Sequence, residues 1–256
     1  MCADTNTPEI STPFAVAMIE QFNPHYDGKN PENVAYIAEI AELDAVYDIV
    51  INGAAAGDAE KAQARQTLDK HESKAAGLGI KAGVVIPKDW GTNEVLTSKE
   101  DAQGITVHAT KKLVVNPGKA LSLQNHRGRE EEWHVESGVL TVVCDGEVDD
   151  YQTKQTAYLP KSKPHCMVNR SSEPVVVIET MKGICLEADN DRLICPNGKA
   201  MRPLRTESEI RSGIVFAQVL KDMGHPKAEL FSALLTPQHQ DMVAKFDFKK
   251  LGHLAI

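Results

Sequence analysis

From Gly79 to about Ile194 the chain alternates short β-branched and aliphatic runs with turn residues. The runs read as strands are Ala82–Ile86, Glu94–Thr97, Thr106–Val115, Ala120–Gln124, Glu132–Cys144, Thr156–Leu159, His165–Asn169 and Val175–Met181. Asn116-Pro117-Gly118, Cys144-Asp145-Gly146 and Ser171-Ser172-Glu173-Pro174 punctuate them as turns. Many short strands at this spacing predict an all-β sandwich or barrel. The flanks have a different texture. Asn30-Pro31 starts a helix, "PENVAYIAEIAELDAVYDIVI", that stops at Asn52-Gly53. Its apolar residues nearly surround it, so burial on both sides is expected. "DAEKAQARQTLDKHESKAAGLG" reads as a more exposed helix ending near Gly77 to Gly79. Thr206–Glu209 is a capping box for a helix running to about Met223, with Gly224 as its stop. Pro226 and Pro237 each start a further helix. The expected organisation is a helical extension over 1–80, a β-rich core over 81–195 and a second helical extension over 196–256.

The chain has 256 residues and a net charge of −8, which disfavours nucleic acid as a partner and gives no reason to invoke an anionic membrane. No stretch approaches the roughly 20 apolar residues of a membrane span. The N-terminus lacks a basic segment followed by a hydrophobic one, so no secretory signal is expected. Five cysteines without a CxxC pair fit free thiols in a reducing cytoplasm.

Chemistry concentrates in "LSLQNHRGREEEW", Leu121 to Trp133. Side chains alternate across a strand, so Gln124 and His126 share a face if the strand reaches that far. Glu131, Trp133 and Val135 share one face, and Glu132, His134 and Glu136 the other. Glu131 therefore lies with the apolar set. An interior carboxylate is costly unless it is paired or bound to metal, which favours Glu131 over Glu130 and Glu132 as a ligand.

Gly118, Gln124-Asn125-His126, Glu131 and Gly138 stand at the intervals of the first cupin motif, with Gln124 in place of the usual first histidine. Pro160, Ser162, His165 and Asn169 resemble the second motif, with Ser162 in place of glycine. "KKLVVNPGKALSLQNHRGREEEW" is similar to the signature of type II mannose-6-phosphate isomerases, often the C-terminal cupin domain of mannose-1-phosphate guanylyltransferases. "KDWG" at Lys88–Gly91, "YLPKSKPHCMVNRSSEPVVVIETMKG" and "EADNDRL" extend the resemblance over about Ile86 to Ile194. It implies a mainly β fold, a cupin (double-stranded β-helix, jelly-roll) barrel with N- and C-terminal helical extensions. It implies one divalent ion (Zn, Mn, Co or Fe) held by Gln124, His126, Glu131 and His165. Such a set suits a first-row metal and leaves open positions for substrate. Three departures, at Asp89, Gly128 and Glu132, are expected to change the pocket rim.

The activity implied is isomerisation of a sugar or sugar phosphate through a cis-enediol. Arg129 matches a family arginine suited to orienting substrate oxygens or phosphate. Lys111 shares a face with Leu113 and Val115 and is a candidate base or phosphate contact, and Arg192 a candidate phosphate contact. His134 reads as structural or surface. Cys166 should point away from the ligands. Two rivals stand beside this reading: a non-haem metal dioxygenase, since two His and one carboxylate also serve oxygen chemistry, and a non-catalytic sugar-binding cupin. A cytoplasmic homodimer is expected.

Overall fold

The computed structural model describes residues 25–52, 56–75, 82–102 and 104–235. The extreme N-terminus and the helix expected at Pro237 lie outside these residues. Two helices come first, α1 (Pro31–Asn52) and α2 (Asp58–Ala75). Eleven strands follow: β1 (Val85–Lys88), β2 (Gly91–Glu100), β3 (Thr106–Val115), β4 (Leu123–Asn125), β5 (Arg129–Ser137), β6 (Val139–Cys144), β7 (Glu147–Gln152), β8 (Thr156–Leu159), β9 (His165–Val168), β10 (Val175–Gly183) and β11 (Asp191–Ile194). Helix α3 (Glu207–Asp222) and the short α4 (Ala228–Phe231) complete the described chain.

The strands pair antiparallel into two sheets, ordered β1-β2-β3-β10-β5-β8 and β11-β4-β9-β6-β7. Long-range pairs such as β3 with β10 and β4 with β11 give the jelly-roll arrangement, two stacked sheets rather than one closed barrel. Trp133, Val135, Leu159 and Val177 from the first sheet meet Leu140, Val142 and Met167 from the second. On the outer side of the second sheet, Ile214, Phe216, Val219 and Leu220 of α3 pack with Val143, Cys166 and Val168. That sandwich explains why all four residues of β9 are buried. His165 and Met167 alternate toward the space between the sheets, and Cys166 and Val168 toward the helix, as expected for Cys166.

Local chemistry accounts for the element ends. The Asn30 side chain accepts the backbone N–H of Glu32 at the start of α1. Thr206 and Glu209 form the reciprocal capping box of α3. The run expected as one strand from Glu132 to Cys144 is broken at Gly138, whose φ of 88° turns the chain from one sheet into the other. Helix α1 differs from expectation as well. Its buried residues Asn33, Tyr36, Ile40, Leu43 and Tyr47 form a single stripe, and Val34 stays 52% exposed. Among the described residues, no helix is long and apolar enough to cross a membrane.

Ser162 occupies the turn before β9 with φ 59°, where a glycine would be unstrained. Its N–H donates to the His126 carbonyl at 2.7 Å, tying the two motif loops together. Ser162→Gly should therefore relieve strain and stabilise the fold by about 0.5–1 kcal/mol. The check is a raised urea midpoint at unchanged m-value; an unchanged or lowered midpoint would count against strain at this turn.

Candidate metal centre and ligand cavity

Three donors meet between the sheets. His126 follows β4, Glu131 lies on the inner face of β5 and His165 opens β9. One ligand atom from each lies within 4.8 Å of the others, and all three residues are 1% exposed. His126 Nδ1 contacts the Asp189 carbonyl at 2.7 Å, and His165 Nδ1 contacts the Lys163 carbonyl at 2.7 Å. A carbonyl only accepts, so each ring carries its proton on Nδ1 and turns a bare Nε2 lone pair inward. Burial lowers both imidazole pKa values, and Arg129 adds to the effect, so both rings are neutral. Glu131 is the opposite case. Burial alone would raise its pKa, but the Arg129 guanidinium that donates to it at 2.7 Å holds it well below the ordinary carboxylate range.

The donor set fits a divalent cation. The buried Nε2 of His165 has no hydrogen-bond partner and lies 3.8 Å from Glu131 Oε2. A buried lone pair without a donor is costly, and a cation would satisfy it. Two neutral imidazoles and a carboxylate are the chemistry of a first-row metal site. Arg129 is the neighbour such an ion would have to accommodate. Its Nε donates to Glu131 Oε1 at 2.7 Å and its NH2 approaches His126 Nε2 at 3.1 Å. Gln124, expected as a fourth ligand, also lies beside His126, but its amide nitrogen faces the ring at 3.2 Å. Its oxygen accepts from Ser122 instead. Ligation through that oxygen would need a half-turn of the amide.

A cavity of about 570 Å³ adjoins this cluster through Gln124 and Arg129, which touch His126 at 3.2 and 3.1 Å; the three donors themselves do not line it. Gln124 and Arg129 form its floor, Trp90 and Leu121 contribute apolar wall, and Lys111, Glu179 and Glu187 line its side. Lys111 points inward as the strand alternation requires and is 4% exposed. Its Nζ is 2.6 Å from Glu187 Oε1 and 3.9 Å from Glu179 Oε2. Burial opposes its charge, but the two carboxylates outweigh burial and raise its pKa. A lysine held protonated in this way suits a charged donor, not the base considered from sequence. Glu187, dominated by Lys111, is lowered to about 2. Glu179 is pushed up to about 8 by burial and by the negative charge of Glu131. Of the pocket groups, Glu179 is the one poised to exchange a proton near neutrality.

Sequence reading did not single out Glu179, although the same alternation identifies it. Val175, Val177, Glu179 and Met181 form one buried face of β10, so Glu179 is an interior carboxylate as Glu131 is. Asp189 was also missed. Its carboxylate accepts the backbone N–H of Arg127 at 3.0 Å and of Gly128 at 2.9 Å, which clamps the loop carrying His126. It sits on a short 3₁₀ turn, where no periodicity marks it. Burial raises its pKa to about 6.

The three departures from the family pattern fall in different places. Asp89 lines the cavity. Glu132 lies on the outer face, paired with Lys182 at 2.7 Å. His134 is exposed against Thr156 on the same face. Gly128 lies beneath α1, where an added Cβ would come within 2.8 Å of the Ile184 carbonyl and 3.0 Å of the Tyr47 ring. Ile184 and the Tyr47 ring of α1 together fill the space a larger residue would need. Gly128→Ala should cost about 1–3 kcal/mol through overpacking, read as a lowered Tm; a variant as stable as wild type would contradict the close approach of Ile184 and Tyr47.

The family described as "Mannose-6-phosphate isomerase C-terminal" matches residues 81–194. This segment is a cupin domain resembling that C-terminal domain. Mannose-1-phosphate guanylyltransferase ManC of Salmonella typhimurium is 32% identical over 103 residues, 40% of this chain and 20% of that protein. Alginate biosynthesis protein AlgA of Pseudomonas aeruginosa is 36% identical over 94 residues, 36% of this chain and 20% of that protein. The chain thus spans about a fifth of the length of these relatives. Among solved structures, a Bacillus subtilis oxalate decarboxylase superposes with a TM-score of 0.35 at 21% identity, over 40% of this chain and 28% of that one. The cupin domain contains the whole His126, Glu131, His165 cluster, while α1, α2 and α3 lie outside the matched residues.

Proposed function

We propose that the chain is a metal-dependent aldose–ketose isomerase acting on a sugar or sugar phosphate through a cis-enediol. The observation that carries this reading is the set of neutral imidazoles and one ionised carboxylate buried next to Gln124 and Arg129 of a cation-lined cavity. A divalent ion held by His126, Glu131 and His165 would supply Lewis acidity for negative charge on the substrate oxygens. The remaining steps fall to the chain's own groups. Glu179 takes the proton from C2 of the aldose, exchanges it with solvent and delivers a proton to C1, while the O2 hydroxyl proton passes to O1. A carboxyl with a pKa near the working pH is suited to that traffic. Lys111 stays protonated and donates to a substrate oxygen. Arg129 keeps Glu131 ionised and orients the substrate at the cavity floor, and Arg192 meets an anionic substituent at the wall.

The relatives' names include mannose 1-phosphate, which makes phosphorylated mannose the first sugar to assay. The test is to incubate protein and metal with mannose 6-phosphate in D₂O and follow C2 by NMR. Fructose 6-phosphate carrying solvent deuterium at C1 is expected. Oxygen consumption without isomerisation would replace this reading by oxygenase chemistry. Binding without any exchange would replace it by a non-catalytic sugar-binding role.

A further inference from the structure

The helical hairpin outside the cupin domain is built into the ligand cavity. Tyr36 of α1 is the main link. Its hydroxyl donates to the Asn190 carbonyl and accepts the backbone N–H of Arg192 at 2.6 Å. The Arg192 guanidinium lies over the Tyr36 ring, 5.4 Å from its centroid. Glu72 of α2 accepts the backbone N–H of Ala188 at 3.0 Å, and Asn33 accepts that of Met201 at 3.2 Å. Tyr36, Ile40, Leu43, Tyr47 and Leu68 enclose Leu186 in one apolar cluster. The segment from Leu186 to Arg192, which carries Glu187 and Asp189, is thereby held on its outer side by the hairpin.

The charges on the cavity wall show what this positioning serves. In a chain of net charge −8, the cavity is lined by five cations and three carboxylates. Lys111 is matched by Glu187 and Arg129 by Glu131. Among the described residues, Lys88, Arg192 and Lys199 have no carboxylate within ion-pair distance. Burial lowers the pKa of Lys88, and Lys199, Lys111 and Arg192 lower it further against the opposing pull of Glu187. Unmatched cations gathered at a cavity wall repel each other until an anion joins them.

We propose that Lys88, Arg192 and Lys199 form an anion subsite for a phosphate monoester on the ligand, and that Tyr36 is a positioning residue that sets Arg192 in it. This rests on the sugar-phosphate form of the reading above, but its test needs neither metal nor turnover. Titration calorimetry with inorganic phosphate on the full chain is the experiment, with neutral mannose as control and the Tm recorded for each variant. Wild type should bind phosphate, and Arg192→Met should weaken it about tenfold. Tyr36→Leu should weaken it by a similar factor and Tyr36→Phe, which keeps the ring, by less. The double variant Tyr36→Leu/Arg192→Met should be no weaker than Arg192→Met alone, because Tyr36 acts through Arg192. Additive losses in the double variant, or losses that follow Tm and not phosphate, would overturn the positioning role. Absence of phosphate binding in wild type, or full affinity in Arg192→Met, would overturn the subsite. Failure of isomerisation with phosphate binding intact would count against the proposed reaction alone.

Discussion

Glu131→Ala is expected to destabilise the protein by roughly 3–5 kcal/mol, because it takes from the buried Arg129 guanidinium its closest carboxylate. Arg129 is 4% exposed and Glu131 1%. At this chain length the loss corresponds to a Tm lower by about 6–20 °C. The Leu186 carbonyl at 2.7 Å and the Asp189 carboxylate at 3.8 Å would remain beside the arginine. With Asn190 Oδ1 at 3.3 Å and His126 Nε2 at 3.1 Å they keep four contacts but not the close carboxylate. Removing both charges tests the cause. The double variant Glu131→Leu/Arg129→Met should recover at least half the loss, since apolar groups of similar volume replace a buried ion pair at little cost. A single variant within about 1 kcal/mol of wild type, or a double variant worse than the single, would show that the pair does not hold this region together.

Glu179→Gln is expected to lower kcat by about 10²–10⁴ for the proposed isomerisation, with metal content and phosphate affinity unchanged. The substitution keeps the shape of the protonated carboxyl and removes its ability to take a proton. The same variant has a second readout in stability. The Glu179 pKa is about 8 in the folded protein against a usual 4.5, so the folded state holds a proton that the unfolded chain releases. Stability from this group is full below about pH 4.5 and is lost as pH rises through 8. The Tm of Glu179→Gln should therefore gain on wild type between pH 6 and 9. Glu187 works in the other direction, with a pKa of about 2, and matters only in acid. Unchanged turnover together with a flat Tm difference would remove Glu179 from the proposed mechanism.

Much of the site is legible in the order of residues because it lies on strands. Alternation alone puts Lys111, Glu131, Trp133 and Val135 inside and Lys112, Glu132 and His134 outside, and the burial pattern matches. Gly118 adopts positive φ at a turn the sequence marks, whereas the positive φ of Gly138 ends a run that reads as one strand. The reading falls short where local pattern carries no information. Glu147–Gln152, an acidic run, forms the edge strand β7, whose half-exposed residues leave no apolar alternation to detect. The stripe on α1 was masked by partly exposed apolar residues between its buried positions. Tyr36 reaches Asn190 and Arg192 across more than 150 residues of chain, a contact only the folded protein reveals.

Metal analysis of purified wild-type protein beside His126→Ala and His165→Ala, after reconstitution with zinc, manganese, cobalt and iron(II) in turn, tests the central claim most directly. Each imidazole turns one lone pair into the cluster, so losing either should abolish tight binding. The account predicts close to one ion per wild-type chain and little or none in either variant, with each variant still folded. No ion in wild type under any of the four metals, or equal metal in all three proteins, would contradict it.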